Sequence, residues 1–114
     1  MQTNVNPVAT VVPKTHAPAA ATAAVITLAA AAGVRHVVDM IFASYSEDPA
    51  TGSLTIASTV NGTAVSQAIH FIESDRQVVL NFNPPLQGDE NTAITITLAS
   101  GGGTCVGLLN AMTR

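Results

Sequence analysis

The sequence predicts an all-β protein, an antiparallel β-sandwich of jelly-roll-like kind with an extended N-terminal arm, and three features carry that prediction. From Ala23 onward, short β-branched or apolar runs recur at a spacing of roughly ten residues. Gly, Pro, Asn and Asp punctuate these runs. Pro7, Pro13 and Pro18 forbid a continuous helix in the segment before them. At 114 residues there is room for one domain with a core of its own. The chain is therefore divided into an arm, residues 1–22, and a sandwich domain, residues 23–114.

The arm is rich in Pro, Ala, Thr and Val. Its apolar residues Val5, Val8, Val11 and Val12 are too many for a plain linker, so the arm either adds to the sheet of its own domain or reaches a neighbouring subunit. Fully extended, 22 residues span up to about 70 Å at roughly 3.3 Å per residue.

Strands are expected near 24–31, 34–46, 53–60, 63–73, 76–82, 92–99 and 104–112. The alanine content of 17–32 makes helix a rival there, because Ala is the best helix former. The β-branched run Val25-Ile26-Thr27 and the lack of a capping residue with an acidic first turn argue for strand instead. In 34–46 both alternating sets contain apolar residues, which marks a central strand, and its length calls for a bend. Asn61-Gly62 between two alternating runs is a strong signal for a two-residue hairpin turn. Asp48 to Gly52 reads as a second turn, Pro84 to Asn91 as a loop, and Gly101-Gly102-Gly103 as the link between the last two strands.

Composition narrows the function. Charged residues make up 10% of the chain, against about 25% in an average soluble protein, so much of its surface is weakly polar and suited to being covered by neighbours. Only Lys14, Arg35, Arg76 and Arg114 are basic, they are scattered, and the net charge is −3. That excludes nucleic-acid binding through a basic stripe. The uncharged stretch Ala17–Val34 raises a signal-peptide or membrane reading, which its alanine content, the preceding prolines and a lone Lys14 oppose. Cys105, the single cysteine, is expected to pack as a small apolar residue.

The same search finds no enzyme. His36 and Asp39 lie three apart on one strand and so point to opposite faces. His70 near Glu73 and Asp75 reads as a polar hairpin end, and His16 lies in the arm, so no metal site is expected. Ser44, Ser46, Ser58, Ser66, Ser74 and Ser100 lack a nucleophile context, and Gly101-Gly102-Gly103 lacks the lysine and helix of a phosphate loop. Asp89-Glu90-Asn91 falls short of a calcium ligand set. No catalytic residue, cofactor or small-molecule substrate is expected. Phe42, Phe71 and Phe82 are read as core. With no Trp and one Tyr, a receptor- or carbohydrate-binding module is the second reading, with Tyr45 and the 84–91 loop as its contact points.

Two groups of residues resemble a known family. Gly33-Val34-Arg35-His36-Val37, Ala43-Ser44-Tyr45-Ser46 and Thr51-Gly52-Ser53-Leu54-Thr55-Ile56 resemble the first half of small β-sandwich virion proteins of tailed bacteriophages. Pro85-Leu86-Gln87-Gly88, Asn91-Thr92-Ala93, Leu98-Ala99-Ser100-Gly101-Gly102 and Gly107-Leu108-Leu109-Asn110 are similar to that group's closing strands. The match covers about residues 23–114 and leaves out the arm. It implies a capsid decoration or cement subunit on the virion surface, assembled in the host cytoplasm. It also implies the major capsid protein or other virion proteins as partners. Low charge and the arm valines add the expectation of a homo-oligomer, trimer or dimer, with Val5, Val8, Val11 and Val12 as contacts to neighbouring subunits.

Overall fold

The computed structural model describes residues 12–47, 49, 52–70 and 76–114. They form eight strands and no helix: β1 Val12–His16, β2 Ala24–Leu28, β3 Val37–Tyr45, β4 Ser53–Val60, β5 Thr63–His70, β6 Gln77–Gln87, β7 Ile94–Leu98 and β8 Gly107–Thr113. No described helix is long and apolar enough to cross a membrane. The strands make two four-stranded antiparallel sheets, β1-β8-β3-β6 (sheet A) and β2-β7-β4-β5 (sheet B).

Alternation builds the core. Side chains of a strand point to opposite faces in turn. Accordingly, Ala24, Ile26 and Leu28 of β2 and Ile94, Ile96 and Leu98 of β7 are buried, while the residues between them are partly or fully exposed. Leu54 and Ile56 complete the inner face of sheet B. Val38, Ile41, Ala43, Tyr45, Leu109 and Ala111 supply that of sheet A, and the two sets form one buried cluster. Each fully shielded Ile, Leu or Val contributes about 1.5–3 kcal/mol of transfer free energy. The architecture is thus sandwich-like.

Strand 34–46 is central, as expected, although it begins at Val37 and ends at Tyr45. Its bend is a bulge. The pairing with both neighbours shifts between Val38 and Met40, so that Asp39 stands outside the ladder. On β6 the register jumps from Asn81, opposite Met40, to Leu86, opposite Val38. The intervening residues include Pro84 and Pro85. An unpaired stretch at a sheet edge is where a strand tolerates proline, because no ladder N–H is asked of it. The expected loop from Pro84 to Asn91 therefore begins only after Gln87.

Val12–His16, within the expected arm of residues 1–22, pairs with β8 in the chain's own sheet. Val5, Val8 and Val11 lie outside the described residues, as do most of the expected Asp48–Gly52 turn and the end of the 63–73 strand.

The Asn61-Gly62 turn forms as predicted. Val60 faces Thr63, and Asn61 and Gly62 take φ of 52° and 75°. A Cβ on Gly62 would meet nothing within 4 Å, so any substitution there is strained by the backbone alone. Gly62→Val is expected to cost at least about 1–2 kcal/mol, the usual penalty of the left-handed region, read as a lowered urea midpoint at unchanged m-value. An unchanged midpoint would contradict the left-handed turn.

Candidate functional site

The outward face of sheet A carries the largest exposed apolar side chains of a single surface. The strand register sets Pro13, Met112, Met40 and Asn81 in one row across β1, β8, β3 and β6. Thr15, Asn110, Phe42 and Val79 form the next row, and Leu108, Ser44 and Gln77 a third. Val79 is 56% exposed, Leu108 39% and Phe42 37%. An open groove of about 330 Å³ runs along this face, with Pro13, Lys14 and Thr15 on one side and Phe42, Asn110 and Met112 on the other. Thr15 Oγ1 donates to Asn110 Oδ1 at 2.8 Å, which holds the β1 side of the groove. In an ordinary antiparallel sheet the solvent face is polar. Here the middle row places an aromatic ring beside an exposed valine.

Phe42 therefore lies outside the core to which the sequence reading assigned it. Its strand is apolar on both faces, and only the bulge and the pairing partners decide which set turns inward. Phe82 is partly buried and packs on the core, as expected, and Phe71 lies outside the described residues. Val12, 43% exposed, is the one arm contact that the structure describes; it lies at the start of β1.

The other singled-out residues are tied into the fold. His36 Nε2 donates to the Ala29 carbonyl at 2.7 Å, whereas Asp39 accepts two hydrogen bonds from Arg114, Nε to Oδ2 at 2.8 Å and NH2 to Oδ1 at 2.6 Å. The two side chains thus engage different partners, although His36 precedes β3 and Asp39 stands at its bulge, so that strand alternation does not set their directions. His16 Nδ1 accepts from the Val25 N–H at 2.8 Å. The His70, Glu73 and Asp75 grouping involves residues outside the described set. Ser46 Oγ accepts from Val106 N–H and Ser100 Oγ from Gly102 N–H, while Ser58 is buried. Among the described residues, no three His, Cys, Asp or Glu stand close enough to hold a metal.

Tyr45, a contact point in the second reading, is instead 5% exposed. Its hydroxyl donates to the Ala99 carbonyl at 2.6 Å, linking the end of β3 in sheet A to the end of β7 in sheet B. Burial raises its phenol above the ordinary value, with Cys105 adding to the effect and a backbone bond from Ser53 opposing it. Gly101 packs beneath this ring. A Cβ there would stand 2.6 Å from Cys105 Sγ and 3.1 Å from Tyr45 Cδ1. Cys105 is buried, and its thiol lies 3.5 Å from the Glu47 carbonyl.

Asp89 caps the β4–β5 turn. Its Oδ2 accepts the Gly62 N–H at 2.7 Å and its Oδ1 the Asn61 N–H at 2.9 Å, so both oxygens serve the backbone. Arg35 holds the same loop through the Gly88 carbonyl at 2.9 Å. The sequence places Asp89 in the 84–91 loop and in an incomplete calcium ligand set, and nothing local in it links Asp89 to a turn 27 residues earlier.

No protein-family model matches the chain, and no curated protein and no solved structure matches it either.

Two carboxylates make stability pH-dependent. The Gly62 and then the Asn61 amide hold Asp89 below the ordinary carboxylate value, and the Arg114 hydrogen bond does the same for Asp39. A carboxylate whose folded pKa lies below its unfolded one stabilises the fold above the unfolded value, about 4, and that stabilisation disappears as pH falls through the folded value. Asp89→Asn is expected to lower the urea midpoint at neutral pH and to flatten its decline below about pH 4. An acid limb identical to that of the parent protein would exclude the capping role. Tyr45→Phe is expected to cost about 1–2 kcal/mol, because the Ala99 carbonyl loses its partner in a part-buried place. Calorimetry of the folded variant measures it, and an unchanged unfolding temperature would contradict that link.

Proposed function

We propose that this protein is a structural subunit that acts by packing against other protein subunits, in the manner of the capsid decoration and cement proteins of tailed bacteriophages. The observation that carries the reading is the outward face of sheet A, where Phe42, Val79 and Leu108 stand exposed beside an open groove. A chain with 10% charged residues has little charged surface to keep such a face apart from others. Burying these three side chains gains apolar transfer energy of about 25 cal/mol per Å². Shape and repetition over many copies make such a contact selective.

Fold analogy supports the same reading. The strand orders β1-β8-β3-β6 and β2-β7-β4-β5 support a jelly-roll reading, since in that arrangement β1 pairs with β8, β2 with β7, β3 with β6 and β4 with β5. That architecture recurs in viral capsid and lectin domains, and an analogy of fold raises the weight of a function without establishing it. The viral branch fits the apolar sheet face. The lectin branch loses its one tyrosine to the interior. In this reading the partners are the major capsid protein or another virion protein, and the site of action is the virion surface. The arm, residues 1–22 with Val5, Val8, Val11 and Val12, is the attachment element of this role, and its described strand β1 borders the groove through Pro13, Lys14 and Thr15. No catalytic step, cofactor or small substrate enters this role.

Co-expression with the capsid gene that lies nearest its own, followed by sedimentation of the shells, tests the proposal. The parent chain is expected to travel with the shells. Phe42→Asp/Val79→Asp is expected to bind at least about tenfold more weakly, about 1.4 kcal/mol per site, at an unchanged unfolding temperature. A chain beginning at Val12 is expected to fold and to lose incorporation. Absence of the parent chain from the shells would overturn the role, and full binding by both variants would overturn the assigned surfaces.

A further inference from the structure

We propose that the free edge of β5 is a self-association surface, where a second copy of this chain pairs its own β5 antiparallel across a two-fold axis. This inference uses a different element from the shell-facing sheet and stands without that reading.

The four outer edges of the two sheets differ sharply in protection. A sheet edge presents unpaired N–H and C=O groups, and proteins blunt it with short strands, proline, lysine, bulges or a covering group. β1 is five residues long and carries Pro13 and Lys14. β2 is equally short, and the Val25 N–H is already taken by His16 Nδ1. β6 carries Pro84 and Pro85 at its register jump. β5 has none of these devices. It runs for eight residues, Thr63–His70, without Pro, Asp, Glu, Lys or Arg, and its ladder with β4 is unbroken. Every residue except the intermediate Val65 is exposed, and among the described strands β4 alone pairs with it.

The inward set is also uncovered. Val65, Gln67 and Ile69 face the same side as the buried Ser58, Ile56 and Leu54 opposite them, yet Ile69 is 36% exposed. The strand thus offers apolar side chains and a backbone edge to the same neighbour.

The register suits a second copy as that neighbour. In a two-residue turn the first strand's last carbonyl accepts the N–H of the residue after the turn, so Val60 and Thr63 exchange hydrogen bonds. Pairs alternate along the ladder. Val65, Gln67 and Ile69 therefore direct their backbone groups to β4, and Ala64, Ser66 and Ala68 direct theirs to the free edge. A two-fold axis at Ser66 sets Ser66 opposite its own equivalent and Ala64 opposite that of Ala68. All of these are residues whose backbone groups point outward, so the ladder closes from Ala64 to Ala68; His70 would face Gly62, whose N–H Asp89 already holds, and the pairing ends there. On the outer face the facing pairs are Ser–Ser and Ala–Ala, and on the inner face Val65 meets Gln67 and Thr63 meets Ile69. No like charges meet. The two sheets B become one continuous eight-stranded sheet, and both unprotected edges disappear together.

Sedimentation of the full chain tests the inference. A dimer is expected. In an exchanging pair the Cα atoms stand about 5.5 Å apart, within disulfide reach, so Ser66→Cys is expected to give a covalent dimer on mild oxidation. Ala64→Cys is expected not to, and the buried Cys105 stays silent in both. Ala64→Lys/Ala68→Lys sets lysines opposite one another and is expected to be monomeric with an unchanged unfolding temperature. Mixing it with Ala64→Glu/Ala68→Glu is expected to restore dimers as a heterodimer. Phe42→Asp/Val79→Asp, which tests the shell-facing surface, is expected to remain dimeric. A monomeric parent chain would overturn the proposal. So would a dimer that survives the lysine pair, or one that Ser66→Cys fails to trap.

Discussion

Strand register is the constraint on which the rest of this structure depends. A slip of one residue turns every inward side chain outward, and in most antiparallel sheets the contrast between an apolar and a polar face prevents it. Sheet B has that contrast, with Ile94, Ile96 and Leu98 inside and Thr95 and Thr97 between them. Sheet A has little of it. Phe42, Met40, Val79 and Leu108 stand on its outer face among Asn81, Asn110, Ser44 and Gln77, so the contrast with Ile41, Ala43 and Leu109 on the inner one is reduced. Hydrophobic burial alone therefore leaves sheet A poorly specified, and other interactions must choose its register.

Polar contacts at strand ends make that choice. The Arg114–Asp39 pair holds the C-terminus against the bulge of β3, and the backbones of Val37 and Arg114 exchange hydrogen bonds beside it. At the other end, the Tyr45 hydroxyl reaches the Ala99 carbonyl from sheet A to sheet B, over a glycine that must stay bare for the ring and Cys105 to fit. Asp89 fastens the β4–β5 turn to the loop that follows β6. Exposed ion pairs contribute little to stability on average. Their service here is specificity, since each contact is made in one register only.

That arrangement leaves the apolar outer face of sheet A free of any task in the fold. Natural surfaces seldom carry such a face without a use, which is why the face, rather than any constellation of titratable groups, is the centre of the functional reading. The polar side chains most suggestive of chemistry in the sequence, His36, Asp39, Asp89 and Tyr45, are each engaged with backbone or a neighbour.

The strands between Ala23 and the C-terminus were legible in the sequence, because alternation and turn residues are local properties. Asn61-Gly62 dictates its turn through the φ that those residues tolerate, and the placement of the strands from β2 to β8 follows from the periodicity between such turns. Three features were not legible, and for one reason. That Pro84 and Pro85 ride within β6, that Phe42 faces outward while Tyr45 is buried, and that Asp89 caps a distant turn all depend on which strand lies alongside. Proline is excluded only where a ladder bond is required, and the partner decides where that is. An aromatic in a strand apolar on both faces carries no mark of its side. Local chemistry thus determined the class and the strand placement of this protein. Pairing between residues far apart in the chain, which propensity cannot encode, decided which apolar face was buried and which was left exposed.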